Sequence, residues 1–234
     1  MYPSINIVIP VYHEGENIRL TLAEIESKVK TPHRILIIYD LDEDNTLPMV
    51  KEWMETHRDI VLIKNKFGRG ALHAIKTGFE SVDEGVILVA MADLSDDLTK
   101  VDEMFRKINE GYDIVCGSRY IKGGEQKGGP WFKKLLSRTA GISLHFFTGL
   151  PTHDVTNSFK MYTKKVLNGI NIESQGGFEI GMEIVIKAFQ KGYNITEVPS
   201  SWRDRKKGKT RFRFWKWLPQ YLRWYFFAFK ARYH

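Results

Sequence analysis

A chain of 234 residues is long enough to fold around one hydrophobic core, with room for an appendage. Its 43% hydrophobic and 27% charged residues are ordinary for a globular protein, and no apolar run reaches the roughly 18 residues that a membrane-spanning helix needs. Cys116 is the single cysteine, which excludes a disulfide framework and indicates a reducing compartment, the cytoplasm.

The net charge of +7 is concentrated near the C-terminus. Residues 202–234 hold eleven of the 35 basic residues and one acidic residue, so the first 201 residues carry a net charge of −3. The same segment holds twelve of the 30 aromatic residues. The positive charge therefore belongs to a basic, aromatic tail.

Short apolar runs alternate with amphipathic stretches over the first half of the chain. We predict strands at 5–12, 34–42, 60–66, 86–94 and 113–121, separated by helices at about 17–29, 47–57, 71–82 and 98–111. Continuous apolar strands separated by helices predict an α/β fold, with a mostly parallel sheet covered by helices on both faces.

After the fifth strand the pattern changes. A glycine-rich loop leads into a basic helix start over 123–138, and a polar loop leads into a short strand over 151–162. A helix over 176–193 and a late strand over 194–205 complete this part of the chain.

Polar side chains follow each of the first four predicted strands. Ligands bind beyond the carboxyl ends of strands in such sheets, so these positions are candidates for a site. They are Tyr12, His13 and Glu14; Asp40, Asp42, Glu43 and Asp44; Gly68, Arg69 and Gly70; and the residues from Asp93 to Asp97.

The acidic loop after the fourth strand suits a divalent cation. The hard oxygen ligands of Asp93 and Ser95 fit Mg²⁺ or Mn²⁺. Asp96 or Asp97 is also a natural cap for the helix that follows. The G-R-G sequence at 68–70 opens a helix, where free N–H groups could meet an anion or simply form a tight turn.

Six motifs, in order, resemble family-2 glycosyltransferases of the GT-A fold, with the nearest similarity to dolichyl-phosphate mannose synthases and related polyprenyl-phosphate glycosyltransferases. The motifs are PVYHEGENI at 10–18, the acidic loop after the second strand, GRGAL, ADLSDD, GSRY at 117–120 and DVTNSFK at 154–160. The resemblance implies a GDP- or UDP-linked sugar donor, a divalent metal ion and inversion at the anomeric carbon.

The resemblance also assigns donor-binding residues. Metal binding falls to Asp93 and Ser95, and Asp93 is also a catalytic candidate. The segment WRDRKKGKTRF resembles a loop that closes on the donor diphosphate in the family. The implied nucleotide-sugar residues are Pro10, Tyr12, Glu14, Asp40, Asp42, Gly68, Gly70, Ala92, Asp93, Arg203, Arg205 and Lys209.

The chain departs from the family pattern at the metal motif. Met91 stands where the first Asp of D-A-D is expected. This departure predicts a weaker metal site, or one that uses Asp96 or Asp97, and it leaves open a non-catalytic nucleotide-sugar binder recruited to a membrane.

On the acceptor side, Arg119, Lys133 and Ser137 match positions that hold the acceptor phosphate in the lipid-phosphate branch of the family. A phosphate monoester is already an anion at neutral pH, so it needs cations to position it and no strong base. A sugar hydroxyl, the acceptor in the alternative of glycan or glycolipid elongation, would need a base. Asp154 and Glu179 are the candidates, and Asp154 suits a turn-capping role better.

The tail predicts an amphipathic helix that Pro219 would interrupt or kink. Basic residues among aromatic ones suit the interface of an anionic membrane. The same composition suits nucleic acid, which we do not expect because the strand-end acids would repel it. Packing on the domain, a homo-oligomer or a membrane-protein partner are further alternatives. One stripe of the helix comprises Phe212, Trp215, Leu218, Leu222, Tyr225 and Phe229.

The sequence thus predicts a GT-A domain over 1–210 and a basic, aromatic, amphipathic extension over 211–234. The expected activity is sugar transfer from a nucleoside diphosphate to a polyprenyl phosphate, by a peripheral protein at the cytoplasmic face of a membrane.

Overall fold

Apolar β-branched runs form the strands, and amphipathic stretches form the helices between them. The computed structural model describes residues 1–204 and 214–230, the latter with side chains from residue 216 onward. The strands are β1 (Ile5–Val11), β2 (His33–Tyr39), β3 (Ile60–Lys64), β4 (Val86–Val89), β5 (Ile114–Ser118), β6 (Glu125–Lys127), β7 (Lys160–Thr163), β8 (Ile195–Pro199) and β9 (Ser201–Arg203). The helices are α1 (Gly15–Lys28), α2 (Thr46–Met54), α3 (Ala71–Glu80), α4 (Val101–Asn109), α5 (Trp131–Thr148), α6 (Lys164–Gly169), α7 (Ile180–Gln190) and α8 (Phe214–Lys230).

Seven strands form the central sheet in the order β3–β2–β1–β4–β7–β5–β8. The sheet is parallel except at β7, which runs antiparallel to both β4 and β5. The prediction of a mostly parallel sheet is confirmed. The direction of β7 was not predicted, because it depends on where α5 returns the chain and not on the residues of the strand.

Hydrophobic cores lie on both faces of this sheet, because successive side chains of a strand point to opposite sides. On one face, Val8 and Ile87 pack in a cluster with residues of α3 and α7. On the other face, Ile7 and Leu88 pack with residues of α1 and α4. Helices on both faces are thus confirmed, and the carboxyl ends of the strands remain available for a site.

The predicted strands 34–42, 60–66 and 113–121 run past the observed ends of β2, β3 and β5, and two further predicted strands also differ from the structure. The apolar run 86–94 pairs as a strand only over Val86–Val89, since its register with β7 ends where Val89 faces Lys160. The late run 194–205 breaks at Ser200, whose N–H donates to the Ser118 carbonyl. Its second part, β9, leaves the main sheet and pairs with β6 in a small parallel sheet.

The C-terminal helix α8 continues through Pro219, so the predicted interruption is not observed. It packs on the domain through Trp224, which is 1% exposed and donates from Nε1 to Ser174 Oγ at 3.1 Å. Arg223 forms an ion pair with Glu173 at 3.0 Å. Part of this aromatic helix therefore belongs to the domain core. The predicted boundary at 210/211, with Phe212 of the stripe, lies outside the described residues.

Candidate active site

The loop after β4 separates its polar side chains by role. Asp93 and Ser95 line a cavity. Asp97 instead accepts a hydrogen bond from Thr99 N–H and caps the short 3₁₀ helix Leu98–Lys100. The predicted capping role is therefore confirmed for Asp97.

Asp96 is buried and points back to the chain, where its Oδ2 accepts a hydrogen bond from Met91 N–H at 2.9 Å. Burial, and after it the charge of Asp93, raise the pKa of Asp96 to about 7. Asp96 does not line the cavity that Asp93 and Ser95 line. The alternative in which Asp96 contributes to the metal site stays a prediction.

Asp40 ties the end of β2 to the glycine loop before α3. Its carboxylate accepts hydrogen bonds from Asn65 Nδ2 at 2.8 Å and from Gly70 N–H at 2.9 Å. Gly68 and Gly70 have φ angles of 98° and 119°, which side chains rarely adopt. Three predicted nucleotide residues thus lie in one network, and the Gly70 N–H is engaged by Asp40 and not left for an anion.

The loop after β1 is fixed against the loop after β2. His13 N–H donates to Asp44 Oδ2 at 2.9 Å, and Glu14 N–H donates to Thr46 Oγ1 at 2.9 Å. Asp44 is 1% exposed and serves this structure, whereas Tyr12 is 38% exposed at the rim. Tyr12 and Glu14 are thereby presented at the carboxyl edge of the sheet.

Of the predicted nucleotide-sugar residues that the structure describes, only Asp93 lines the cavity, and Tyr12, Glu14, Asp40, Gly68 and Gly70 lie at the strand ends outside its wall. Asp42 is exposed and forms an ion pair with Lys64. Pro10 is buried within β1. Ala92 is 2% exposed in the core, and its carbonyl accepts a hydrogen bond from Thr21 Oγ1 at 3.0 Å. Of these, Ala92 is placed by its contact with α1, which the sequence motif does not reveal.

Arg203 is exposed, whereas its neighbours Trp202 and Asp204 line the cavity. The cause is the alternation of side chains along β9, which sends every second residue to the same side. Arg203 therefore does not line this cavity, and its expected donor role stays a prediction. Arg205 and Lys209 lie outside the described residues.

The acceptor candidates are brought together around a buried ion pair. Arg119 contacts Asp154 through Nε at 2.6 Å and through Nη2 at 2.8 Å, with side-chain exposures of 10% and 0%. The same Nη2 donates to Ser137 Oγ at 3.1 Å and to Thr156 Oγ1 at 3.2 Å. Burial opposes the charge of Arg119, but Asp154 outweighs it and the pKa of Arg119 is raised. The guanidinium is therefore a fixed cation.

One cavity of about 610 Å³ joins these groups. Its polar wall includes Asp93, Ser95, Arg119, Lys133 and Ser137. Its apolar wall comes from α5, α8 and the chain around α7, through Leu136, Ala140, Phe178, Met182, Leu218 and Leu222. Of the predicted tail stripe, Leu218, Leu222 and Tyr225 thus face this cavity. The cavity therefore has one wall with charged and polar side chains and another wall with apolar side chains.

A divalent cation fits the polar wall. Asp93 and Ser95 supply a carboxylate and a hydroxyl oxygen, which are ligands that Mg²⁺ and Mn²⁺ accept. Within residues 1–204 and 214–230, no group of three or more His, Cys, Asp or Glu side chains is placed to hold a metal ion. Most of the coordination would therefore come from water and from the donor's phosphates, as is usual for Mg²⁺.

A family model described as glycosyl transferase family 2 matches residues 6–170, which is more than half of the chain. The chain belongs to this family. It is therefore a glycosyltransferase, and family membership disfavours the non-catalytic binder that Met91 left open.

Two curated relatives have similar sequences. The polyprenol monophosphomannose synthase of Mycolicibacterium smegmatis is 28% identical over 211 residues, which cover 88% of this chain and 79% of that protein. The dolichol-phosphate mannosyltransferase of Pyrococcus furiosus is 27% identical over 231 residues. This second match covers 94% of the present chain and 64% of the longer Pyrococcus protein.

Solved structures share the fold. Two structures of the glucosyl-3-phosphoglycerate synthase of Mycobacterium tuberculosis match with TM-scores of 0.71 and 0.70 at 13% identity. They cover 97% of this chain and 80% and 79% of that one. The first is a complex with UDP, and the second is a complex with Mn²⁺, UDP-glucose and phosphoglyceric acid. The transferase thus has the predicted GT-A fold.

Sequence reasoning missed several residues of the cavity wall. Thr156 and Asn157 reach it from the turn before β7, Gln126 from β6 and Trp202 from β9. The polar run T-N-S before an apolar strand was a usable signal for the first two. The last two come from the small β6–β9 sheet, whose pairing joins segments some 75 residues apart and leaves no local pattern.

Proposed function

We propose that this transferase moves a sugar from a nucleoside diphosphate to a polyprenyl phosphate at a membrane surface, with inversion at the anomeric carbon. The observation that carries the proposal is the composition of the cavity. Asp93 and Ser95 share it with the cationic pair Arg119 and Lys133, and the same space continues along apolar side chains. A phosphate carried on a long apolar chain is the acceptor that matches both walls.

The names of the relatives support this acceptor class. One is a polyprenol monophosphomannose synthase and the other a dolichol-phosphate mannosyltransferase. Both names describe mannose and a polyprenyl-type lipid with a phosphate. Because the cavity of this chain fits a lipid phosphate, we propose the same acceptor class for it. The proposed donor is a sugar linked to GDP or UDP.

The acceptor phosphate supplies the nucleophile. Its second pKa lies near 6, so an oxygen is already anionic at neutral pH. That oxygen forms a bond to the anomeric carbon as the bond from this carbon to the diphosphate breaks, and no proton must be removed. Arg119, Lys133 and the Ser137 hydroxyl hold the phosphate near the sugar, which lowers the entropic part of the barrier.

A divalent ion held by Asp93 and Ser95 would neutralise charge on the departing diphosphate as a Lewis acid. Either Mg²⁺ or Mn²⁺ suits these oxygen ligands. Tyr12, Glu14, Asp40, Gly68 and Gly70 would form the nucleotide side of the donor site, with Arg205 and Lys209 as further candidates in the tail.

The alternative acceptor, a sugar hydroxyl, would need a base. Asp154 is fully buried and bound to Arg119. Glu179 is also fully buried, and its carboxylate accepts hydrogen bonds from Gly176 and Gly177 N–H at 2.7 and 2.6 Å. Both carboxylates that the sequence offers as bases are thus engaged elsewhere, which favours the phosphate acceptor.

The membrane side of the proposal rests on exposed apolar residues of α5 and α8. Trp131 is 76% exposed, Phe146 77% and Phe226 60%, and exposed Arg138 and Lys230 lie on the same two helices. Aromatic and basic side chains together suit an anionic membrane surface. None of the helices in the described part of the chain is long and apolar enough to span a bilayer. On the strength of the exposed aromatic and basic side chains, we propose peripheral contact at the cytoplasmic face of a membrane.

Product analysis tests the proposal. The protein is incubated with vesicles that contain a polyprenyl phosphate, with Mn²⁺ or Mg²⁺, and with GDP-mannose or UDP-glucose in separate reactions. The expected product is a polyprenyl phosphate whose mass has increased by one hexose, formed from one of the two donors. Sugar found only on added glycan or glycolipid hydroxyl groups would support the alternative transferase instead.

A further inference from the structure

Lys160 is a fully buried lysine below the acceptor side of the cavity. It is the first residue of β7, and its Nζ donates hydrogen bonds to the carbonyl oxygens of Val155, at 3.1 Å, and of Asn157. Lysine is almost never fully buried unless it is paired. The hydrogen bonds to these carbonyl oxygens therefore have to offset the cost of removing the ammonium group from water.

The two carbonyl groups belong to the turn 154–158, whose residues form part of the site. Thr156, Asn157 and Ser158 line the cavity, and Asp154 holds Arg119. Asn157 is also fixed to the end of β5, since its Nδ2 donates to the Gly117 carbonyl at 2.8 Å. The ammonium group of Lys160 thus binds the turn from its buried side, and the opposite side of the turn lines the cavity proposed for the acceptor.

The surroundings of Lys160 contain both signs of charge. Burial lowers the pKa of its ammonium group, and the neighbouring Cys116 and Asp154 oppose this effect without cancelling it. Asp154 forms its ion pair with Arg119. The hydrogen bonds to two backbone carbonyls therefore fix where Lys160 sits.

We propose that Lys160 is a positioning residue for acceptor transfer, which holds the turn 154–158 so that Thr156, Asn157 and the Arg119–Asp154 pair keep their places in the cavity. The identity of the acceptor rests on the function proposed above, whereas the anchoring of the turn does not. Lys160 touches neither substrate; it acts through the turn.

Lys164 provides a matched control. It lies four residues further along, is half-buried, and donates from Nζ to the Phe79 carbonyl at 2.6 Å, away from the cavity. Lys160→Met and Lys164→Met remove the same charge and the same kind of bond. Lys164 is less buried, so the two variants differ in stability for that reason alone; a lysine that only stabilised the fold would not change acceptor and donor parameters unequally.

The experiment compares amide hydrogen exchange, nucleotide affinity and transfer kinetics in the two variants. For Lys160→Met we expect faster exchange over 154–158, an unchanged affinity for the donor nucleotide, and a fall in kcat/KM for polyprenyl phosphate of about 100-fold, since a displacement of about 1 Å at a positioning group has this effect. For Lys164→Met we expect no change over 154–158 and no change in kcat/KM.

Equal exchange over 154–158 in both variants would overturn the inference, and so would parallel losses of donor and acceptor binding. If Lys160→Met does not fold, Lys160→Gln replaces it, because the amide keeps an N–H donor but not the charge. If the wild type does not use polyprenyl phosphate, the function proposed above fails, and the exchange over 154–158 still decides the anchoring.

Discussion

The proposed donor and acceptor regions use carboxylates differently. In the donor region, the half-buried Asp40 accepts hydrogen bonds from Asn65 Nδ2 and from Gly70 N–H, and it ties neighbouring loops together at the rim of the sheet. On the acceptor side, Asp154 is fully buried and holds one cation, Arg119, in the cavity wall. In the donor region a carboxylate therefore binds uncharged N–H donors of the loops, whereas in the acceptor region a carboxylate binds a charged side chain.

This difference has an energetic consequence. A hydrogen bond to a charged group contributes about 1.5–3 kcal/mol, and its loss at a partly exposed rim is softened by water. Removing one partner of a buried ion pair leaves an uncompensated charge, which costs about 3–5 kcal/mol. The acceptor side should therefore be more sensitive to single substitutions than the donor side.

The largest expected effect is that of Asp154→Ala. Arg119 would remain buried without its carboxylate, so the free energy of unfolding should fall by about 3–5 kcal/mol, measured by urea denaturation. Asp42→Ala is the control, because it removes a pair with Lys64 that is exposed on both sides and should leave the midpoint unchanged. If both variants lost a similar free energy of unfolding, the buried Arg119–Asp154 pair would be no more sensitive to substitution than an exposed pair.

Gly70→Ala tests the backbone of the donor rim. The residue has a φ of 119°, and an added Cβ would meet no atom within 4 Å, so the expected cost of about 1–3 kcal/mol is backbone strain alone. Gly111 is matched in φ, at 102°, and in open space, but lies far from the strand ends that form the rim. Gly111→Ala should lose similar stability and keep its nucleotide affinity, whereas Gly70→Ala should lose both. Unchanged nucleotide binding in Gly70→Ala would remove the loop from the donor site.

Asp93→Ala tests the metal position. In calorimetric titrations, the affinity for the donor nucleotide in Mn²⁺ should fall at least tenfold, about 1.4 kcal/mol. Asp97→Ala is the control, because Asp97 caps Thr99 N–H as Asp93 Oδ1 caps Ser95 N–H; it should lose about 1 kcal/mol of stability and keep its nucleotide affinity. Nucleotide binding that ignores both Mn²⁺ and Asp93 would indicate a metal-independent donor site.

The smallest expected effect concerns the outer surface. Phe146→Ser and Phe226→Ser should each weaken binding to anionic vesicles by about 1 kcal/mol in a sedimentation assay, because an interface removes the ring from water only partly. Leu20→Ser is the control, since Leu20 is 52% exposed on α1, on the other side of the sheet. A loss for Leu20→Ser equal to the others would mean that no particular face meets the membrane.

The sequence predicted the fold through long-range regularity and the site through local motifs. Apolar runs and helical spacing predicted the sheet and its covered faces, and of the residues predicted at strand ends, Asp93 and Ser95 line the cavity. Local reasoning failed where neighbours along the chain separate in space. Arg203 faces away because β9 alternates, and the hydrogen bond of Ala92 to Thr21 spans 71 positions. The apolar wall combines α5, α8 and the chain around α7, so no single stretch could predict it.

The most direct test of the account compares two acceptors with the same polyprenyl chain, one ending in a phosphate and the other in a hydroxyl group. Rates of sugar transfer are measured with the same donor, metal ion and vesicles. We expect transfer to the phosphate and a rate at least about 100-fold lower for the alcohol, because the cationic wall positions an anion and the nucleophile needs no base. Comparable transfer to both acceptors would contradict the central role of Arg119 and its buried partner.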